Sequence, residues 1–277
     1  MKKANKRVIP GFGLSMGVTL SLLSVIVLIP LASLVVFTAN MDFSEIISTI
    51  TKKRVLASFE VSFITALIAS AINAVMGVIL AWVLVRYDFP GKRLLDGMIE
   101  LPFALPTAVA GIALTSLTAD TGMIGSIFAK FGIKIAYTRI GIVVALVFIG
   151  IPFVVRAVQP VLEKLDSSYE EAATVLGASR RRTFWKVIFP EIKPAVFTGF
   201  GLAFGRCLGE YGSVVFIAGN QPFETEITPL IIMSELQEYD YASATAIALV
   251  MLLVSFFILF LVNLIQMRNT RILKGGN

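Results

Sequence analysis

Few side chains of this chain can support covalent or metal chemistry. Its 277 residues include no histidine and one cysteine, Cys207. The lack of histidine excludes Ser-His-Asp triads, imidazole proton shuttles and histidine metal sites, and a single cysteine excludes intrachain disulfides, zinc–thiolate clusters and cysteine-ligated iron–sulfur sites. A GxxxxGK[ST] phosphate loop is also missing from the sequence, so ATP chemistry has to come from another chain. We therefore predict no catalytic site, no metal and no cofactor bound by this chain.

The chemistry that remains is that of charge, and two opposite charges fall inside an apolar stretch. Arg206 and Glu210 are four residues apart, so they share one face of a helix and can form an ion pair. Arg206 lies about 16 Å along a helix that starts at residue 195, close to the middle of a bilayer. Charges at that depth usually mark a transport pathway. Two interpretations stay open: the pair lines or gates an anion pathway, or it only fixes helix packing.

Small residues recur at every fourth position in the same stretch, an arrangement that lets a second helix backbone approach closely. These four residues are Gly201, Gly205, Gly209 and Ser213. The pattern predicts a helix-packing seam that runs beside the two charges.

Two prolines, Pro102 and Pro106, stand at the start of another apolar stretch. Each removes a backbone N–H donor and frees a carbonyl that neighbours or water must satisfy. We therefore expect this segment to bend or to face a cavity. Thr107 and Thr115 then either line the pathway or belong to a kinked helix that only packs.

The loop over residues 160–194 is too long for a simple connector. Caps and breakers mark candidate helix ends within it: Ser167 with Glu170, Gly177, Ser179 and Pro190. Ser167 and Glu170 match a capping box, and Gly177 suits a residue that ends a helix in the left-handed conformation. A second helix capped by Ser179 should end near the proline. The residues thus predict a helix–turn–helix, and one interpretation is an amphipathic pair on the lipid headgroups, with the arginines at 180–182 reaching phosphate.

The elements that must position these residues follow from composition. Apolar residues make up 57% of the chain and charged residues 15%, which is typical of a membrane protein. Six apolar stretches predict transmembrane helices: 12–39, 57–85, 101–119, 140–159, 195–219 and 241–266. The alternate segments that include both termini and the 160–194 loop hold 16 Lys and Arg, against 6 in the others, which places those three on the cytoplasmic side. We predict an all-α polytopic protein, one domain over 1–277, in which the net charge of +6 reflects topology and not nucleic-acid binding.

The 160–194 loop also carries a known motif. Glu171-Ala172-Ala173, then Gly177, then Val187-Ile188-Phe189-Pro190 resemble the EAA-x3-G-x9-I-x-L-P loop of ABC-importer permeases. The resemblance implies a type I ABC-importer permease fold in which this loop is a cytoplasmic coupling helix, docked in a groove of the ATP-binding subunit. It further implies that coupling depends on Glu170, Glu171, Ala172, Ala173, Gly177 and Pro190.

Three more segments resemble one branch of that family, the T subunits of sulfate/thiosulfate permeases. They are LPFALPTAVAG at 101–111, GRCLGEYGSVVFIAGN at 205–220 and LQEYDYASATAIA at 236–248. The resemblance implies an importer of sulfate or thiosulfate in the bacterial cytoplasmic membrane, with molybdate or another oxyanion as the alternative substrate. A stand-alone secondary anion transporter or channel is the alternative from another class, although it gives no reason for the EAA loop.

The same resemblance implies an assembly around this chain. Its expected partners are two copies of an ATP-binding subunit, which hold ATP and Mg²⁺, a second permease of the W type, an external sulfate/thiosulfate-binding protein, and the lipid bilayer. In such an importer Arg206 would supply positive potential for a dianion.

Overall fold

The computed structural model describes residues 12–274, except for the side chains of Asn263 and of residues 265–274. The basic residues at positions 2, 3, 6 and 7, which enter the charge count, lie outside the described residues. All regular structure in the described part is helical: α1 Phe12–Ala39, α2 Phe43–Ile50, α3 Lys53–Arg86, α4 Lys92–Ala104, α5 Thr107–Thr118, α6 Gly125–Ala129, α7 Arg139–Lys164, α8 Ser168–Val175, α9 Arg180–Leu208, α10 Val214–Ile217, α11 Thr228–Gln237 and α12 Tyr241–Lys274.

Five of these helices are long and apolar enough to cross a membrane, namely α1, α3, α7, α9 and α12. The bent pair α4 and α5 supplies a sixth span if it is counted as one. The prediction of an all-helical protein with six spans is therefore confirmed at the level of helix number and type.

The core is formed by α3, α7 and α9, which pack along most of their lengths. Val154 of α7 lies between glycines of the other two helices. A Cβ at Gly77 would lie 2.6 Å from Val154 Cγ1, and a Cβ at Gly199 would lie 2.7 Å from Val154 Cα. Only glycine permits this spacing, because real Cβ atoms do not approach other heavy atoms so closely. The three helices are thus held at short range by residues outside the predicted seam.

Ion pairs connect neighbouring elements at each end of this bundle. At the end that carries the 160–194 loop, called the loop end below, Arg156 of α7 pairs with Asp96 at 2.8 Å and with Glu100 at 2.7 Å, both on α4. At the opposite end, Arg54 of α3 donates from Nε to the buried Glu226 at 2.8 Å. Each arginine therefore joins elements that are distant along the chain.

The second loop helix does not end near Pro190 as predicted. It runs on as α9, from Arg180 to Leu208, through one π turn at Phe184–Ile188. A proline lacks an N–H and its ring crowds the carbonyl four residues earlier, and a widened turn accommodates both. The same device occurs in α1, where the π turn Ser24–Leu28 precedes Pro30.

The predicted bend in the third stretch is confirmed, and it is sharp. α4 and α5 meet at an angle of 115° across Leu105 and Pro106. The helical part begins at Lys92, before the predicted start at residue 101, because the preceding turn closes at Gly91 in the left-handed conformation, with φ 90°.

The predicted fifth span, 195–219, is not one helix. α9 ends at Leu208, and the short α10 begins only at Val214. Two glycines, Gly209 and Gly212, fall in the interval, where their low helix propensity favours a break. This break packs against the start of α5: a Cβ at Gly111 would lie 2.5 Å from the carbonyl oxygen of Ser213. We call residues 105–107, 111 and 209–213 the helix-break junction.

Candidate functional site

The loop helix α8 has well-defined ends. At its start, Asp166 Oδ1 accepts the backbone N–H of Ser168 at 2.9 Å, whereas the Ser167 hydroxyl makes no capping bond. At its end, Gly177 has φ 78°, its N–H bonds to the carbonyl of Thr174, and the next N–H bonds to the carbonyl of Ala173, both at 2.9 Å. This is a Schellman motif. The capping box predicted at Ser167 is thus replaced by Asp166, and the predicted role of Gly177 as terminator is confirmed.

One side of α8 faces away from the bundle. Val175 and Leu176 are 87% and 86% exposed, and Glu171 and Ala172 are exposed as well. Ala173 on the other side is buried. An apolar pair this exposed at the end of a polar loop could be covered by another protein or by the lipid headgroups.

Two of the residues grouped with this surface lie elsewhere. Glu170 turns back to the bundle, where it pairs with Arg86 of α3 at 2.9 Å. Pro190 is half-buried in α9, two residues after the π turn ends at Ile188. Of the residues from the resemblance, Glu171 and Ala172 remain on the outward side with Val175 and Leu176, and Gly177 ends the helix that presents them.

The predicted ion pair inside the bundle forms. Arg206 Nη1 lies 2.7 Å from Glu210 Oε2. The other carboxylate oxygen, Oε1, accepts the backbone N–H of Ser213 at 2.8 Å and its hydroxyl at 3.0 Å. The Glu210 side chain is 2% exposed and that of Arg206 34% exposed. The carboxylate is therefore fixed in the helix-break junction, and the guanidinium extends from it toward a cavity.

That cavity is a groove of about 510 Å³ between α7, α9 and α12. Its lining is apolar apart from Thr198 and Arg206: Phe153, Thr198, Gly201, Leu202, Gly205, Arg206, Leu259 and Val262. A guanidinium has five N–H donors, and the shortest contact with Glu210 is made by the Nη1 nitrogen. The geometry therefore places a positive charge with remaining donors on the wall of an apolar groove.

Neither predicted pathway threonine is among the described residues that line this groove. Thr107 begins α5 and its hydroxyl lies against Gly212 in the helix-break junction. Thr115, further along α5, donates its hydroxyl to the carbonyl of Gly111 at 2.7 Å. The structure therefore brings Thr107 close to the segment that holds Glu210, whereas Thr115 bonds within its own helix.

The four residues of the predicted seam lie in three different environments. Gly201 and Gly205 face α12, since Cβ atoms there would lie 3.4 Å from Val262 and 3.3 Å from Leu259. Gly209 has open space around it, and Ser213 packs on Gly111 of α5. The first two residues thus lie against α12 on the wall of the groove, and the other two lie beyond the end of α9, so the four do not form one continuous stripe on a single helix.

The contact made by Arg86 was not predicted from the sequence, in which this residue counted only among the basic residues that indicate the membrane topology. Its guanidinium carbon stacks 5.7 Å from the ring centroid of Trp82, four residues earlier. An aromatic residue and an arginine at this spacing on one helix are the signal that could have singled it out. In residues 12–274, apart from the excepted side chains, no group of three or more His, Cys, Asp or Glu can hold a metal ion.

Comparison with known proteins gives concordant matches. Residues 73–271 match the family described as "Binding-protein-dependent transport system inner membrane component". The chain is 49% identical over 272 residues to the "Sulfate transport system permease protein CysT" of Escherichia coli (strain K12), covering 98% of both chains.

Two solved structures share the fold. One is a bacterial ABC transporter involved in the import of the acidic polysaccharide alginate, with a TM-score of 0.77 and 15% identity, covering 93% of this chain and 96% of that one. The other is a bacterial alginate ABC transporter in complex with a pentasaccharide-bound periplasmic protein, with a TM-score of 0.75, 17% identity, and coverage of 92% and 93%.

Proposed function

Because this chain belongs to the family of binding-protein-dependent transport system inner membrane components, we propose that it is the membrane-spanning permease subunit of an ATP-driven sulfate importer. The observation that carries the proposal is the 49% identity to a sulfate permease over 98% of both chains. The outward side of α8 agrees with it, since an importer without its own nucleotide site needs a surface for a partner that has one.

The assembly we propose contains three kinds of protein partner. Two copies of an ATP-binding subunit, which bind ATP and Mg²⁺, lie at the loop end, and a W-type permease stands beside this chain in the bilayer. An external sulfate/thiosulfate-binding protein docks at the opposite end. Both termini then lie in the cytoplasm of a bacterium with the loop end, as the distribution of Lys and Arg favours.

The outward side of α8 transmits the conformational changes of the ATP-binding subunit to this chain. Val175 and Leu176 offer apolar area that a groove on the ATP-binding subunit can bury, and Glu171 beside them offers a charge for a basic partner residue. When the two ATP-binding subunits close on ATP, the helices docked in them move together, and the two permeases open outward to receive the anion.

Arg206 provides electrostatic attraction for a dianion in the groove. The carboxylate of Glu210 neutralises one positive charge at rest, but it is fixed by Ser213 on its buried side and the guanidinium is the more exposed partner. In an apolar environment an exposed guanidinium attracts an oxyanion more strongly than in water. Sulfate, thiosulfate and molybdate are all oxyanions with this chemistry, so the proposed role of Arg206 does not distinguish between them.

The first experiment measures uptake of radiolabelled sulfate in cells that lack this chain, with and without its restoration, and with ATP depleted while ion gradients are clamped. We expect restoration to rescue uptake, ATP depletion to abolish it, and a Gly177→Asp variant to remain inactive. Rescue that survives ATP depletion would favour a secondary transporter. No sulfate uptake, but rescue of molybdate uptake, would change the substrate assignment.

The role of Arg206 has its own test. In the reconstituted complex the double variant Arg206→Leu with Glu210→Gln, which leaves no unpaired buried charge, should abolish sulfate uptake while assembly and basal ATP hydrolysis persist. Arg206→Lys, which keeps the charge, should retain part of the uptake. Unchanged uptake in the double variant would show that Arg206 only pairs with Glu210.

A further inference from the structure

One side chain joins the coupling loop to the core of the bundle. Arg86, the last residue of α3, donates from Nη2 to the backbone carbonyl of Leu165 at 3.1 Å and pairs through the same nitrogen with Glu170 at 2.9 Å. Leu165 is the C-cap residue directly after α7, and Glu170 lies in the first turn of α8. The guanidinium thus contacts the chain on both sides of the turn that leads into the coupling helix.

The orientation of Arg86 is itself fixed by aromatic packing. Its guanidinium stacks on Trp82, whose ring packs edge-on against Phe184 in the π turn of α9, with ring centroids 5.6 Å apart. The side chain of Arg86 is 19% exposed and that of Glu170 30% exposed. The contact is an ion pair without hydrogen-bond geometry, since Glu170 Oε1 has no hydrogen-bond partner among the described residues. Because the pair is partly shielded from water, its Coulomb attraction is screened less than that of a fully exposed ion pair.

The two adjacent glutamates of the loop have opposite surroundings. Glu171 is exposed on the outward side of α8, where its carboxylate lies 3.5 Å from the Ser167 hydroxyl. Glu170 points inward to α3. A negative charge in the first turn also favours the helix N-terminus. One glutamate is thus available to a partner, while its neighbour is held by this chain.

From this geometry we propose that Arg86 is a positioning residue that fixes the coupling helix to α3, so that movement of α8 is passed to the core helix and not absorbed in the turn at residues 165–167. This rests on the proposed function, in which α8 docks on an ATP-binding subunit. α3 spans the bundle and packs on both α7 and α9, so a displacement delivered at its last residue reaches the core directly.

The test combines a transport readout with one that needs no transport. Arg86→Ala is reconstituted with its partners in proteoliposomes, and sulfate taken up per ATP hydrolysed is compared with the unaltered complex. We expect this ratio to fall about tenfold, while basal ATP hydrolysis and assembly persist. Independently, hydrogen–deuterium exchange of the amides in residues 168–177 is measured on the full-length chain in lipid nanodiscs, where Arg86→Ala should accelerate exchange about three- to tenfold.

The chain offers both a rescue and a matched control. The charge-reversed double variant Arg86→Glu with Glu170→Arg should recover part of the uptake and of the protection, which neither single reversal should do. Lys92 pairs with Asp88 at 2.8 Å at the same end, a bond that lowers the pKa of the Asp88 carboxyl. That pair lies within a single turn, so Lys92→Ala should change neither readout.

Three outcomes would overturn the proposal: unchanged exchange in Arg86→Ala, faster exchange with a normal ratio of uptake to hydrolysis, or no recovery in the double reversal. If the unaltered complex showed no ATP-dependent sulfate uptake, the proposed function would fail. The exchange measurement would then still decide whether Arg86 holds the coupling helix.

Discussion

The coupling loop and the helix-break junction are both polar interruptions of an apolar chain, yet they are built in opposite ways. The loop presents exposed side chains on a short helix whose caps lie within a few residues of it. The junction joins two distant breaks by close contact at two glycines: Gly111 lies against the backbone of Ser213, and Gly212 lies against the side chain of Thr107. The loop is thus characterised by its exposed side chains, whereas the junction requires positions that have no side chain.

This difference separates two kinds of sensitivity to substitution. A change on the loop surface should remove only the contact that we propose with the ATP-binding subunit and leave the fold intact. A change at Gly111 forces two backbones apart, because its nearest neighbours are backbone atoms of Ser213 that cannot move aside as a side chain can. The distinction can be measured by comparing transport with thermal stability for the same variant.

The largest expected effect is the substitution Gly111→Val. A Cβ at this position would lie 2.5 Å from the carbonyl oxygen and 2.7 Å from the Cα of Ser213, so α5 and the α9 break would have to separate, at a cost of about 3 kcal/mol or more. The measurement is the thermal unfolding midpoint of the purified protein in nanodiscs. Gly97→Ala on α4 is the control, because no neighbouring atom would lie within 4 Å of a Cβ at that position; a normal midpoint in Gly111→Val would refute the backbone contact.

The same chemical change, glutamate to glutamine, should act differently in the two regions. Glu210→Gln removes the charge from a carboxylate that is 2% exposed and leaves Arg206 without its partner, which we expect to lower stability by about 1–2 kcal/mol after allowance for the partial exposure of the arginine. Glu171→Gln on the exposed loop should leave stability unchanged and reduce uptake. Thermal unfolding and uptake are measured for both; equal losses of stability would remove the proposed contrast.

Two glycines in the left-handed conformation, one inside the loop and one outside it, separate an effect on uptake from an effect on backbone strain alone. Gly177, with φ 78°, and Gly132, with φ 73°, would each have no neighbouring atom within 4 Å of an added Cβ. Alanine at either position therefore adds strain of about 1 kcal/mol without a clash. Gly177→Ala should reduce uptake because it alters the end of the coupling helix, and Gly132→Ala, outside the loop, should not. Similar uptake in the two variants would show that the loop tolerates a displaced α8.

The sequence predicted interactions between residues that are close together in the chain better than contacts between distant segments. The ion pair of Arg206 with Glu210 and the termination at Gly177 depend on residues close together in the chain, and both form as predicted. The end of α9 at Leu208 had a local signal in Gly209 and Gly212, which the seam interpretation placed within one helix. The contact of Gly111 with Ser213, in contrast, depends on packing between distant segments. No pattern within one segment reports such a contact.

One prediction from proline was confirmed and another was wrong. Pro106 predicted a bend, and α4 and α5 meet there at 115°. Pro190 predicted a helix end, but a π turn at Phe184–Ile188 carries the helix past it. A proline fixes only the loss of one donor and the crowding of one carbonyl. Whether the chain bends or widens a turn is decided by what packs around it.

The smallest effect tests the start of the coupling helix, where the sequence indicated one residue and the structure uses another. Asp166 Oδ1 accepts the N–H of Ser168 at 2.9 Å, so Asp166→Ala should destabilise α8 locally by about 0.5–1 kcal/mol. Ser167→Ala should have little effect, since its hydroxyl makes no capping bond. Hydrogen–deuterium exchange of the first amides of α8 distinguishes the two variants without any transport. Because α8 is short and its outward side is exposed, even this small loss of stability should reach the surface that we propose meets the ATP-binding subunit. If Ser167→Ala accelerated exchange more than Asp166→Ala, the capping box would be the better description.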